Sequence, residues 1–181
     1  MQKFNYTDER FADVQLLRYR LDGFENLTLR QKLYIYYLAK ATLSGRDITT
    51  DQFCRYNLRI RRTLEAVYLD FKGNRMTDEF KALEVYLKRV WFSNGIHHHY
   101  GCEKFVPGFT EEYFRSVVKE VALNANGTSD SVLPLKKGET IDNLLDELCP
   151  VIFHADILKK RVNQKTGDDL VLTSACNYYD G

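Results

Sequence analysis

Apolar residues recur at helical spacing through most of this chain, and polar caps mark where each run begins. Thr28-Leu29-Arg30-Gln31 has the form of a capping box. The apolar stretch behind it, Leu33 to Ala41, is wide enough to cover most of a helix surface, which predicts a buried central helix. A second stripe, Ile60, Leu64, Val67, Tyr68 and Phe71, stops at Gly73-Asn74. Thr77 caps a third helix, with Asp78 and Glu79 in its first turn, with Phe80, Leu83, Leu87, Val90 and Trp91 facing inward, and with Asn94-Gly95 as its terminator.

Past Pro107-Gly108, Thr110 caps a helix whose inner face is Tyr113, Phe114, Val117, Val118 and Val121. Residues 124–131 are small and polar and predict a flexible loop. Thr140 then caps a short helix bearing Ile141, Leu144, Leu145 and Leu148 and ended by Pro150, with a further short helix expected from Ala155 to Arg161. Val162-Asn163-Gln164 and Leu170-Val171-Leu172-Thr173 flank a turn-forming stretch and predict a minor β-hairpin near the C-terminus. The expected fold is mainly α: one multi-helix bundle over residues 1–181 with that small β feature.

Composition sharpens this picture by exclusion. At 181 residues the chain can bury a real core, and 44% hydrophobic with 28% charged residues is ordinary for a globular domain. A formal charge of +1 gives no general attraction to nucleic acid or anionic membrane. Arg59, Arg61 and Arg62 form a local basic run that reads as a solvated helix face rather than a phosphate site. No apolar run is long enough to span a bilayer, and Met1-Gln2-Lys3 does not open a signal peptide. Cys54, Cys102, Cys149 and Cys176 lack a C-x-x-C spacing and read as free thiols.

The candidate chemistry is concentrated in one non-periodic run between two helices, from Trp91 to Pro107. It holds His97, His98 and His99, the tryptophan, Cys102 and two glycines. In an extended strand His97 and His99 would share one side and His98 the other. A structural zinc needs four ligands, and Cys102 or Glu103 would complete the count only through a favourable loop conformation, so no native metal site is expected here. The alternatives are a packed structural loop and the lining of a binding cleft. Histidine and tyrosine suit the latter, offering flat apolar faces together with hydrogen-bonding edges. The serines have no G-x-S-x-G context, and Asp168-Asp169 and Glu111-Glu112 fit a turn and a helix first turn, so no catalytic residue is assigned.

Four segments resemble dipeptidyl peptidase III, a zinc exopeptidase family. Asn94-Gly95, Tyr100-Gly101 and Lys104-Phe105-Val106-Pro107 are similar to a family stretch in which a helix ends in Ser-Asn and is followed by an aromatic-Gly step and Lys-Phe-Val-Pro. Lys32 to Ala41 through Gly45-Arg46-Asp47-Ile48 resembles the family's first long helix, Tyr56-Asn57-Leu58-Arg59-Ile60-Arg61 its bacterial branch, and Asn177-Tyr178-Tyr179-Asp180-Gly181 a step preceding its next helix. The resemblance spans about Phe4 to Gly181 and implies the amino-terminal part of a Bacteroides-type bacterial member, within the lobe opposite the zinc lobe.

The family's His-Glu-x-x-Gly-His helix is not in this sequence, so the resemblance implies a segment without the catalytic residues. Zinc would belong to the full-length parent and not to this segment. There it would polarise the scissile carbonyl and activate water in an enzyme that releases dipeptides from the amino end of short peptides. By the same resemblance Asn94, His97, His98, His99 and Tyr100 border the substrate cleft. The implied partners are the rest of the parent polypeptide and short peptides. Self-association through apolar side chains left uncovered, part of the Tyr34-Ile35-Tyr36-Tyr37 set and Tyr178-Tyr179, is expected as well. The implied compartment is cytoplasmic, or periplasmic if an export leader is removed. The alternative is a free-standing helical protein-interaction module.

Overall fold

The computed structural model describes residues 4–124 and 133–161. It is mainly helical, with a small two-stranded antiparallel sheet. The chain divides into two compact units, Met1–Asp47 and Ile48–Gly181. The hairpin expected after residue 161 and most of the loop expected over 124–131 lie outside the described residues.

In the first unit β1 (Thr7–Phe11) pairs antiparallel with β2 (Val14–Leu17), with Phe11 opposite Val14. The link is only Ala12-Asp13, and Ala12 takes a left-handed φ of 48°. The usual Asn-Gly or Asp-Gly signal of such a turn is missing, which is why the pattern of the sequence does not announce this hairpin. A 3-10 turn (Phe24–Asn26) leads to α1 (Leu29–Ser44), which opens on the expected capping box: Gln31 N donates to Thr28 Oγ1, and Thr28 N donates to Gln31 Oε1 at 2.9 Å. The expectation that α1 is the buried central helix is not met. No α1 residue is buried, and Tyr34, Tyr36 and Tyr37 are all exposed. An apolar band that wraps a helix tells how much of it seeks cover, not where in the chain the cover lies.

The bridge to the second unit is α2 (Arg46–Phe53), followed by α3 (Asn57–Asp70), α4 (Asp78–Ser93), α5 (Glu111–Asn124) and α6 (Ile141–Phe153). Thr77, Thr110 and Thr140 accept from the backbone N–H groups three residues ahead, as their positions predict. The core joins α3 to α6: Ile60, Leu64 and Val67 meet Phe80, Leu83, Leu87 and Val90, Phe114, Val117 and Val118, and Leu144, Leu145 and Leu148.

Four expectations in this unit need correction. Trp91 is 38% exposed at the edge of the core, held by Nε1 donating to Glu65 Oε1 at 2.7 Å. Pro150 does not end α6, which runs on to Phe153. One missing donor in the last turn is tolerated there, and the Pro150 carbonyl still accepts from His154 N. The stretch from Ala155 to Arg161 is a turn followed by extended chain, not a helix. Arg59 and Arg61 are not solvated either. Arg59 joins Glu139, Glu147 and the Pro134 carbonyl and so ties α3 to α6, while Arg61 is 4% exposed and donates to Thr50 Oγ1.

Candidate functional site

The histidine run forms a closed loop at the end of α4, and its base is fixed from two directions. Asn94 ends the helix in a left-handed conformation, φ 54°, which asparagine tolerates better than most residues. Beneath it lies Asn57, fully buried in the first turn of α3. Its Oδ1 accepts from Ile96 N at 3.2 Å, and its Nδ2 donates to the Asn94 carbonyl. A β-carbon on Gly95 would stand 2.0 Å from Asn57 Nδ2, so glycine is required for the chain to lie this close. Ile96, fully buried, then plugs the loop into the core.

Two short ladders complete the closure. His97 bridges antiparallel to Lys104, Phe105 N donates to Ile96 O, and His98 N donates to Glu103 O. Across the outer edge of this ribbon runs the segment 154–161, joined by Lys104 N to Lys159 O, by Arg161 N to Cys102 O, and by the bridge of Glu103 with Lys160. Lys104 adds a hub of its own. Its ammonium donates to the carbonyls of Val151 at 3.0 Å and Ile157 at 2.7 Å, and to that of His154. Cationic donors suit the unpaired carbonyls at a helix C-terminus. Burial lowers the Lys104 pKa, opposed by Asp156.

The three imidazoles take separate roles. His97 is 3% exposed, and its Nε2 donates to the Leu158 carbonyl at 2.7 Å, while Nδ1 is buried with no hydrogen-bond partner among the described residues. Burial is the largest influence and pushes the His97 pKa down to about 4, helped by Arg161 and Lys104 and opposed by the Leu158 bond. His98 is half-buried, and its Nδ1 accepts from the backbone N–H groups of Tyr100 and Gly101 at 3.2 and 3.1 Å. His99 stacks on His98 with ring centroids 4.4 Å apart, meets Phe92 edge-on at 4.9 Å and touches the Tyr100 ring at 4.6 Å. His97 and His99 therefore do not share a side. The chain turns after His98, closed by Cys102 N donating to His98 O with Cys102 at φ 62°, and strand alternation does not extend through a turn.

Asn94, His97, His98, His99 and Tyr100 thus sit on one loop, but only its tip faces outward. Tyr100 is 85% exposed, at the end of an aromatic ladder that runs from Phe92 through His99. No group of three or more His, Cys, Asp or Glu side chains able to hold a metal ion occurs among the described residues. Nε2 of His97 and Nδ1 of His98 are already engaged in bonds within the fold. Beyond the loop, Val106 and Gly108 run along α4, where a groove of about 340 Å³ is lined by Val85 and Tyr86, with Lys81 and Arg89 beside them.

Asn57, Lys104 and the segment 154–161 are the elements that reasoning along the sequence misses. An asparagine directly after a tyrosine in a basic helix start carries no local mark of a partner 37 residues away. Compared with known proteins, the chain matches no family model and no curated protein.

Proposed function

We propose that this chain is the non-catalytic amino-terminal part of a zinc dipeptidyl peptidase of the dipeptidyl peptidase III type, and that the tip of its histidine loop, His98 to Tyr100, faces peptide substrate. The observation that carries this reading is that two of the segments resembling the family meet in space. Asn57, from Tyr56-Asn57-Leu58-Arg59-Ile60-Arg61, bonds to Asn94 and Ile96 at the start of the histidine loop.

The loop divides its work on this reading. Asn94, Gly95 and His97 hold the base, and the exposed end offers Tyr100 and the edges of His98 and His99 to a peptide. A tyrosine hydroxyl and an imidazole N–H can donate to peptide carbonyls while their faces cover apolar side chains. Zinc and the residues that use it would come from elsewhere in the parent polypeptide. The exposed apolar side chains of α1 favour a second reading, a free-standing helical module that binds another protein.

Zinc analysis and a dipeptidyl-arylamide assay separate the two, applied to the native gene product and to this chain alone. The peptidase reading expects chelator-sensitive release of dipeptides and stoichiometric zinc from the native product, and neither from the chain. A native product with neither would leave the interaction module standing.

A further inference from the structure

The segment 154–161 crosses the histidine loop, and one of the bonds that hold it there comes from a buried histidine. We propose that His97 is an acid-sensitive latch: neutral, it ties this segment to the loop through Leu158, and protonated, it lets the segment go. Nε2 is the protonated nitrogen, since its partner, the Leu158 carbonyl, can only accept. A second proton must therefore enter on Nδ1, which is buried without an acceptor among the described residues. The bond to Leu158 would survive that proton. The burial of the new N–H and its charge would not.

The charged groups that act on the ring are both cations, Lys104 from the facing strand of the loop and Arg161 from the segment itself. Asp156 acts on Lys104. Among the described residues no carboxylate acts on the ring itself, and a third positive charge between the two cations is solvated by moving the segment aside. That segment is poised to move. Leu158 sits at a left-handed φ of 51°, a conformation unfavourable for a side chain of this kind and kept only while its surroundings impose it. Opening would break Lys104 N to Lys159 O and Arg161 N to Cys102 O, and would free the Lys104 ammonium from the turn carbonyls. The low His97 pKa agrees with this geometry: the closed form resists the proton that the open form accepts.

The test is hydrogen exchange at the Lys104 and Arg161 amides, corrected for intrinsic rates, on the chain carrying His97 or His97→Gln. Glutamine keeps a nitrogen donor for Leu158 and does not titrate. With the closed form at about 4 and the open form at 6.5, the opening constant should rise about 20-fold from pH 7 to pH 5 in the parent chain. It should stay within about twofold in His97→Gln, and amides of the α3–α5 core should not respond in either. Equal acid opening in both chains, or none in the parent, overturns the proposal. Should His97→Gln fail to fold, the parent alone decides: exchange at the Lys104 and Arg161 amides that rises as pH falls from 7 to 5, with the His97 ring titrating by NMR below pH 5, supports the latch, and exchange that does not rise, or a ring midpoint near 6.5, ends it.

Discussion

Gly95 and Asn57 fit against one another because Gly95 has no side chain: a β-carbon there would lie 2.0 Å from Nδ2 and 2.5 Å from Cγ of Asn57. The obstructing amide cannot swing aside, since the same group receives Ile96 N and donates to the Asn94 carbonyl, and Asn57 is fully buried. The entry into the histidine loop is thus set by α3, an element far away in sequence.

Gly95→Ala is therefore expected to destabilise the protein by about 2–3 kcal/mol, through overpacking and loss of the Asn57 bonds. Gly101→Ala is the control. The three nearest atoms there belong to the Glu103 carboxylate, the free end of a flexible side chain, and the cost should stay within about 0.5 kcal/mol. Urea unfolding of both variants measures the difference, and equal midpoints would mean that Asn57 does not constrain Gly95.

Lys104 should behave as a structural cation. Lys104→Met keeps the aliphatic stem and removes the ammonium from the carbonyls of Val151, His154 and Ile157. A loss of roughly 2 kcal/mol in denaturant unfolding is expected, at the scale of a hydrogen-bonded charge. A neutral result would show that water replaces the ammonium at no cost.

The thiols should separate by burial. Cys54 and Cys149 are buried at 2% and 0% exposure, and burial pushes the Cys149 thiol up to about 12, whereas Cys102 is partly exposed at the loop. In a Cys176→Ser background, a disulfide reagent at neutral pH should modify Cys102 and spare Cys149 until denaturant is added. Mass spectrometry of the labelled peptides reads this directly, and comparable labelling of Cys149 in the native state would contradict the packing around α6.

Much of the helical scaffold is legible from the sequence. Thr28, Thr77, Thr110 and Thr140 mark helix starts, and the stripes on α3, α4, α5 and α6 name their core faces, because caps and periodicity act within a few residues of chain. What the pattern does not carry is partnership at a distance. The apolar width of α1 gives no hint of where its cover lies, and Arg59 looks solvated until Glu139 and Glu147 come to it from later in the chain. The histidine loop shows the same split. Its boundaries follow from Asn94-Gly95, but the opposite fates of His97 and Tyr100 depend on residues 154–161, which read as helix in isolation.

Exposed apolar side chains on α1 predict association. Leu33 and Tyr37, and Tyr34 and Leu38, are pairs four residues apart, and all are exposed. Light scattering over a concentration series should show mass rising above the monomer, and Tyr34→Glu with Tyr37→Glu should restore the monomer. A chain that stays monomeric throughout would show that this helix is not an association surface.

If the loop tip meets peptide while the base only holds it, the tip side chains should matter for substrate binding and not for the chemical step. Steady-state kinetics of the native gene product against a dipeptidyl arylamide, comparing the parent with a His98→Ala, His99→Ala, Tyr100→Ala variant, test it most directly. KM should rise about tenfold with kcat within about twofold, the signature of lost substrate binding away from the reacting bond. Unchanged KM in a well-folded variant, or no dipeptide release by the native product, would contradict it.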